Sequence, residues 1–378
     1  MKRITCFILI FLFISTFAFA GEAGAPTERL LLLPEELVDL LRAEKWEDAA
    51  KYVAADLAAG NTDFDRHKLW QNAIVLAPPG KLMKDEMEPR LRDVYSAHAK
   101  ENLGDIDAQV LSIRVMHVSK QGPLLDELLK RAPDNAWANF LKGYLFYNKK
   151  KHGEALENLR KSAELVPDKY GFALYYALAL EWHCVKEKER INAAEKVEPA
   201  RIEKLKEYIK TGQAAFERAL SLADEKQQKE VYTNILQFTT DHATLQDWGE
   251  EHIRRALEKA HEDADYHAYL GCLLVKRAKD MEELFKDEPA PPEAERKSRQ
   301  EKIKKIRDEG MMLLRRAIEF DPEQPHALIA LSAMLARPDS GVNWTLIVVV
   351  IIVGLAVLYV VRSAMKASPG EGNKETRE

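Results

Sequence analysis

The chain has 378 residues, 46% of them hydrophobic and 31% charged, which is enough apolar material for a sizeable core and excludes a disordered polar tract as the default. A formal net charge of -5 gives no basic excess for a phosphate backbone, so nucleic acid is not an expected partner. Three cysteines are too few for a disulfide scaffold.

The N-terminus, MKRITCFILIFLFISTFAFA, places Lys2 and Arg3 before an apolar run and ends on the small-x-small triplet Ala18-Phe19-Ala20. That order predicts a signal peptide over 1–20, with an uncleaved anchor as the alternative. Residues 21–135 read as degenerate helical repeats. KWEDAAKYVAADLAAGN (45–61) and LLDELLKRAPDN (124–135) have the pattern of second helices of helix pairs. Residues 64–101 fit worst, because LAPPG (76–80) is a breaker and Pro89 is expected to interrupt KDEMEPRLRD.

A clearer unit follows in NAWANFLKGYLFYNKKKHGEALENLRKSAELVPD, residues 135–168. Gly143 and Ala155 are small where two antiparallel helices would cross. Phe146 and Leu159 fill the space beside them, and Pro167 stops the second helix. This pattern resembles the tetratricopeptide repeat (TPR), a unit of about 34 residues. FERALSL (216–222), IRRALEKA (253–260) and LRRAIEFDP (314–322) repeat its second-helix ending, and PHALIALSAMLA (325–336) reads as a closing helix. The fold class expected is therefore all-α, a TPR-type helix-turn-helix solenoid over 136–336.

Two units are too long. Ala317 follows Gly271 by 46 residues and Ala219 follows Ala177 by 42, where the second-helix alanine is expected 19 residues on. The insertions fall near 185–206 and 281–307, and each has proline near its middle, in VEPAR and KDEPAPPEAE. Ile202, Leu205, Ile209, Gly212 and Phe216 keep a helical seam in the first. Leu274, Ala278, Met281 and Phe285, then Ile303, Ile306, Gly310 and Leu313, keep one in the second. The seams predict two extended helical hairpins, projecting roughly 15 to 20 Å at 1.5 Å per residue. Charged loops are the alternative.

After a linker at 337–343, WTLIVVVIIVGLAVLYVV (344–361) is uncharged and predicts one C-terminal transmembrane helix. Arg362, Lys366, Lys374 and Arg377 follow it, so the positive-inside rule assigns 362–378 to the cytoplasm and the repeats to the other side. The expected localisation is a single-pass protein of a bacterial inner membrane with its repeats in the periplasm, in contact with the lipid bilayer through that helix; a protein of the endoplasmic reticulum or secretory route, with the same topology, is the alternative.

No catalytic constellation or metal-ligand spacing is present, and no cofactor or metal is expected. His183 and Cys184 are helix neighbours pointing about 100° apart, so they cannot act as base and nucleophile together. Cys184 and Cys272 are expected about 20 Å apart at ordinary interhelix spacing, beyond disulfide reach.

Binding remains. The TPR resemblance implies a concave groove lined by positions 2, 5, 9, 12 and 13 of each first helix. Those positions fall on Trp137, Phe140, Tyr144, Tyr147 and Asn148, then on Leu174, Leu178 and Trp182, then on Asn234 and Phe238. Packing against the next repeat is the alternative for each ring. The function expected is a tethered extracytoplasmic scaffold for a protein or peptide partner, and not an enzyme. The alternatives are a permanent subunit of an envelope complex, or an enzyme with an unrecognised site in 64–104, where His67 and His98 would be the residues to test.

Overall fold

The computed structural model describes residues 30–335 except 31, 62, 77, 79, 195 and 288–290. The expected signal peptide, linker, transmembrane helix and tail lie outside the described residues. No described helix is long and apolar enough to cross a membrane.

The described residues are helical, without strands, and divide into two compact units at Asn234/Ile235. The first unit opens with α1 (Glu35–Arg42) and α2 (Trp46–Ala58), then α3 (Phe64–Gln71), which runs into a π-helical turn (Asn72–Leu76). Next come α4 (Lys81–Glu101), α5 (Ile106–Arg114), α6 (Val118–Arg131), α7 (Ala136–Asn148), α8 (His152–Leu165), α9 (Tyr170–Ala193) and α10 (Pro199–Leu222). Side-chain caps mark several first helices: Asp63 accepts from Asp65 N at 2.9 Å, Asp105 from Ala108 N at 2.9 Å and Asn135 from Ala138 N at 2.8 Å.

Pro89 does not interrupt the chain. It lies inside the 21-residue α4, whose Met83, Met87, Leu91, Tyr95 and Ala99 are buried at a strict four-residue spacing. A proline there removes one intrahelical bond and crowds the preceding turn, a cost of about 3 kcal/mol. The carbonyl left without its helical donor is that of Asp85, and burial of the Met83–Ala99 seam offsets the cost. The Pro89 part of the breaker reading is thus corrected, whereas helix does stop at Leu76 and resume at Lys81, as LAPPG implied; the segment contributes a first helix, its π turn and a long second helix to the core of the first unit.

In the α7/α8 pair, a Cβ on Gly143 would lie 2.6 Å from Leu159 Cγ, so the two helices cross where the sequence has no side chain. The helices α9 and α10 are 24 residues each, against 13 and 14 for α7 and α8. The roughly ten extra residues correspond to about 15 Å of helix. The seam of this hairpin is buried at Gly212, Phe216 and Ala219, whereas Ile202 near its tip is 39% exposed.

α11 (Glu225–Asp241) runs through the division between the units. The second unit continues through a 3-10 turn (Ala243–Leu245), α12 (Gln246–Lys259), α13 (Ala264–Asp287), α14 (Glu293–Phe320) and α15 (Pro325–Leu335). The 24-residue α13 and 28-residue α14 form the second long hairpin. Ile303, Gly310, Leu313 and Ala317 bury its seam. Across its length Arg307 pairs with Glu282, and the Arg299 guanidinium lies 4.6 Å from the Phe285 ring centroid. At its base Arg254 bonds Glu309 at 2.7 Å and Arg277 bonds Glu250 at 2.7 Å, which ties α12 to both arms.

Candidate functional site

The first helices α5, α7 and α9 pack side by side. That arrangement brings aromatic residues from separate repeats into one strip. Trp137 stacks on Phe64 of α3 at 4.3 Å and meets Phe172 edge-on at 4.6 Å. Phe140 stacks on Phe172 at 4.7 Å. Tyr175 then receives Phe140 at 5.6 Å, Tyr144 at 5.0 Å and Tyr147 at 5.9 Å, each near perpendicular. His152 closes the strip, lying parallel to Trp182 at 5.0 Å and edge-on to Tyr147 at 5.3 Å. Edge-to-face and offset pairs of this kind add about 0.5 to 1.5 kcal/mol each beyond burial.

The expected groove residues separate by depth. Trp137, Tyr144, Tyr147, Leu178 and Trp182 are half-buried and Asn148 is exposed, so they present surface. Phe140 and Leu174 are buried and belong to the interior. Phe238 is a correction: it is fully buried with its ring edge-on to His242, and a residue without exposed surface cannot line a groove. The Asn234 amide donates to the Glu230 carbonyl of its own helix at 2.8 Å, which occupies a donor the groove reading needed.

Sequence reasoning missed Tyr175, which takes the place expected of Leu174, and Phe64, Lys68 and Lys169. The two lysine ammonium groups lie 4.6 and 5.3 Å from the Trp137 ring centroid, and Lys169 also pairs with Asp65. That end of the strip therefore holds ammonium groups and the Asp65 carboxylate together. Burial, with Glu181 nearby, pushes the Tyr147 hydroxyl above its ordinary pKa, so it stays a neutral donor. Burial, with Lys186 and Lys150 nearby, lowers His152 to about 4, so its imidazole is neutral at ordinary pH.

The pair that carries most of this strip has helices of 13 and 14 residues, joined by the tight turn 149–151, with a glycine at the crossing. It is a TPR-type pair. No protein-family model and no curated protein matches the chain. Solved structures similar to it include TTC0263, a thermophilic TPR protein of Thermus thermophilus, at 17% identity, 66% of this chain, 99% of that one and a TM-score of 0.34. The human IFIT1 dimer with m7Gppp-AAAA is similar at 14% identity, 82% of this chain, 64% of that one and a TM-score of 0.36. The P58(IPK) TPR domain is similar at 10% identity, 83% of this chain, 100% of that one and a TM-score of 0.18. The TPR-type assignment rests on the helix pairs themselves, and nothing about ligands carries over from these structures.

The segment suggested as an alternative enzyme site holds a buried polar network. His67 is fully buried, with Nε2 donating to the Asn61 carbonyl at 2.7 Å and Nδ1 3.1 Å from the Tyr95 hydroxyl. Tyr95 therefore donates to the neutral imidazole. Gln71 donates to the Leu111 carbonyl at 2.9 Å and accepts from Arg114 Nε at 3.0 Å, while Arg114 Nη2 donates to Asn72 at 2.8 Å. These bonds tie α3 and its π turn to α4 and α5. Every one of these groups is engaged in holding helices together, and His67 presents no surface to a substrate. Among the described residues no group of His, Cys, Asp and Glu is arranged to hold a metal. Cys184 and Cys272 are both free, and burial pushes both thiols up to about 12.

Proposed function

We propose that this protein is a membrane-tethered, extracytoplasmic TPR-type scaffold, without catalytic activity, that holds an extended segment of a partner protein along its aromatic strip. The observation that carries the reading is the run of half-buried rings from Trp137 through Tyr144, Tyr147 and Tyr175 to Trp182. Rigid aromatic rings offer large contact area at low entropy cost, and tyrosine and tryptophan keep a polar atom for the partner backbone. The exposed Asn148 amide stands at the C-terminal end of α7, where it can bond an extended chain.

The tether is supported by the uncharged run 344–361 and the basic residues after it, and export by the N-terminal pattern of 1–20. Together they favour a bacterial inner membrane with the repeats in the periplasm. A photo-crosslinker at Tyr144, with a second strain carrying it at Arg296 on α14, tests the reading in intact membranes. A discrete protein adduct from Tyr144 supports a strip receptor and names its client. Adducts from Arg296 alone move binding to the hairpin, and none from either position removes the scaffold reading.

A further inference from the structure

The aromatic strip keeps open donors and closed acceptors. The Tyr144 ring is fixed by Phe140 and Tyr175, yet its hydroxyl makes no hydrogen bond among the described residues. His152 is only 8% exposed, and its imidazole, stacked on Trp182 and edge-on to Tyr147, likewise makes none, with Nδ1 fully enclosed. Asn148 adds an exposed amide at the end of α7. A buried ring nitrogen without a partner costs free energy that the polar group of a ligand would recover.

The acceptors nearby are taken. A helix end ordinarily leaves its last carbonyls open. At the end of α7 those of Leu145, Phe146 and Tyr147 accept from the backbone N–H of Lys149, Lys151 and Lys150 at 3.3, 3.0 and 2.9 Å. Asp65, at the Trp137 end, is paired with Lys169, and Glu181 is buried.

A ligand suited to these surroundings is apolar, rich in carbonyl oxygens and poor in N–H groups. A β-strand carries N–H groups along both edges, and they would lie against acceptors already in use. An α-helix bonds its own backbone and presents only side chains, which leaves Tyr144 and His152 unpaired. Proline has no N–H, and in the polyproline II conformation its carbonyls point outward and its rings lie flat on aromatic faces.

The spacing agrees. Trp137 and Tyr144 on α7, and Tyr175 and Trp182 on α9, are each seven residues apart. At 1.5 Å per residue that is about 10.5 Å along the helix. One polyproline II turn of three residues is about 9.3 Å, whereas same-face side chains of a strand repeat at about 6.6 Å. Given the strip as the partner site, we infer that it receives a proline-rich segment in the polyproline II conformation, with prolyl rings against the aromatic rings and carbonyls accepting from Tyr144 and His152.

The test uses the full chain in nanodiscs and a fluorescent oligoproline long enough to cover the strip, read by anisotropy. The wild-type chain is expected to bind it with little dependence on ionic strength, and not to bind a length-matched alanine-rich helical peptide. Tyr144→Phe and His152→Phe keep a ring at each position and remove the polar group, so each is expected to weaken binding about 5-fold. Tyr144→Ala also removes the ring and should weaken it about 10-fold or more. Binding that both phenylalanine variants leave unchanged overturns the assignment, as does equal binding of the helical peptide. A crosslinker at Leu178 leaves every donor in place, and its client adduct is expected to fall when oligoproline is added. An adduct that oligoproline does not displace overturns the proline assignment and leaves the strip receptor standing, whereas no client adduct from Tyr144 or Leu178 removes both.

Discussion

Gly271 and Gly310 approach each other so closely that a Cβ built on either would lie 2.9 to 3.0 Å from the carbonyl oxygen of the other. The second hairpin is thus clamped backbone to backbone near its base, and everything toward its tip is carried on that contact. Gly310→Ala gains about 1 kcal/mol in helix propensity but must push two backbones apart, at about 1 to 3 kcal/mol, with no flexible side chain to yield. A net loss of thermal stability is expected. Gly122→Ala, where the nearest atom is 3.7 Å away, should be neutral or stabilising in the same melt.

A second stability prediction concerns matching turns. Glu44 and Lys150 have φ 56° and 58° and share one hydrogen-bond pattern: Lys45 N donates to the Leu40 oxygen at 2.9 Å, as Lys151 N does to the Phe146 oxygen at 3.0 Å. Glycine adopts this conformation without steric cost. Lys150→Gly is expected to raise stability by about 0.5 to 1 kcal/mol, less the chain entropy that glycine adds to the unfolded state.

The pH dependence follows from imidazoles that burial keeps neutral, His67 and His152 in the first unit, with His183, His267 and His326 lowered in the same direction. Burial lowers both His67 and His152, the latter to about 4 against an ordinary value of 6.5. A histidine whose folded pKa is depressed contributes stability that is full above the unfolded value and is lost as pH falls toward the folded one. Stability should therefore decline from about pH 6.5 downward, until about 4 for the His152 contribution. His152→Phe keeps a ring against Trp182 and removes the proton, so its stability profile should be flatter over this window. An unchanged slope in equilibrium unfolding at stepped pH would assign the acid sensitivity elsewhere.

Much of the architecture was legible because glycine and alanine positions set where helices cross. Gly143 and Gly271 marked two crossings, and proline marked the tip of each hairpin. The 64–101 segment was not legible, since Pro89 reads locally as a breaker while its cost is offset by tertiary burial of Met83, Met87, Leu91 and Tyr95. The four-residue spacing of those side chains was the available signal. In the candidate site, Trp137, Tyr144, Tyr147 and Trp182 were found by position within the repeat. Tyr175 was missed by one residue, because that numbering fixes the phase of a helix only to within about 100°. Phe64 and Lys169 were missed because they reach Trp137 from outside its own helix.

The polar network offers a prediction against the enzyme alternative. Arg114→Met should leave Gln71 Oε1 and Asn72 Oδ1 without the donors they now have at 3.0 and 2.8 Å, costing about 1 to 3 kcal/mol per unsatisfied group. A structural network gives lower stability and earlier exchange of the amides in 64–76, with crosslinking at Tyr144 retained at temperatures where the variant is folded. Loss of a turnover at full stability would instead reinstate a reactive site.

The depth of each ring separates binding from packing. Phe172 is 1% exposed and touches both Trp137 and Phe140, so Phe172→Ala is expected to cost about 3 to 5 kcal/mol and to weaken partner capture only through unfolding. Tyr144 is half-buried, in contact with Phe140 and Tyr175, and keeps surface that a ligand can reach. Tyr144→Ala should cost less stability and more binding, on the order of 10-fold or greater if the ring is an anchor. The ratio of the two effects, read from thermal melts and from co-purification of the crosslinked client, decides the matter. A Tyr144→Ala chain that melts near the wild-type temperature and still captures its client at full yield would place the binding surface away from the strip.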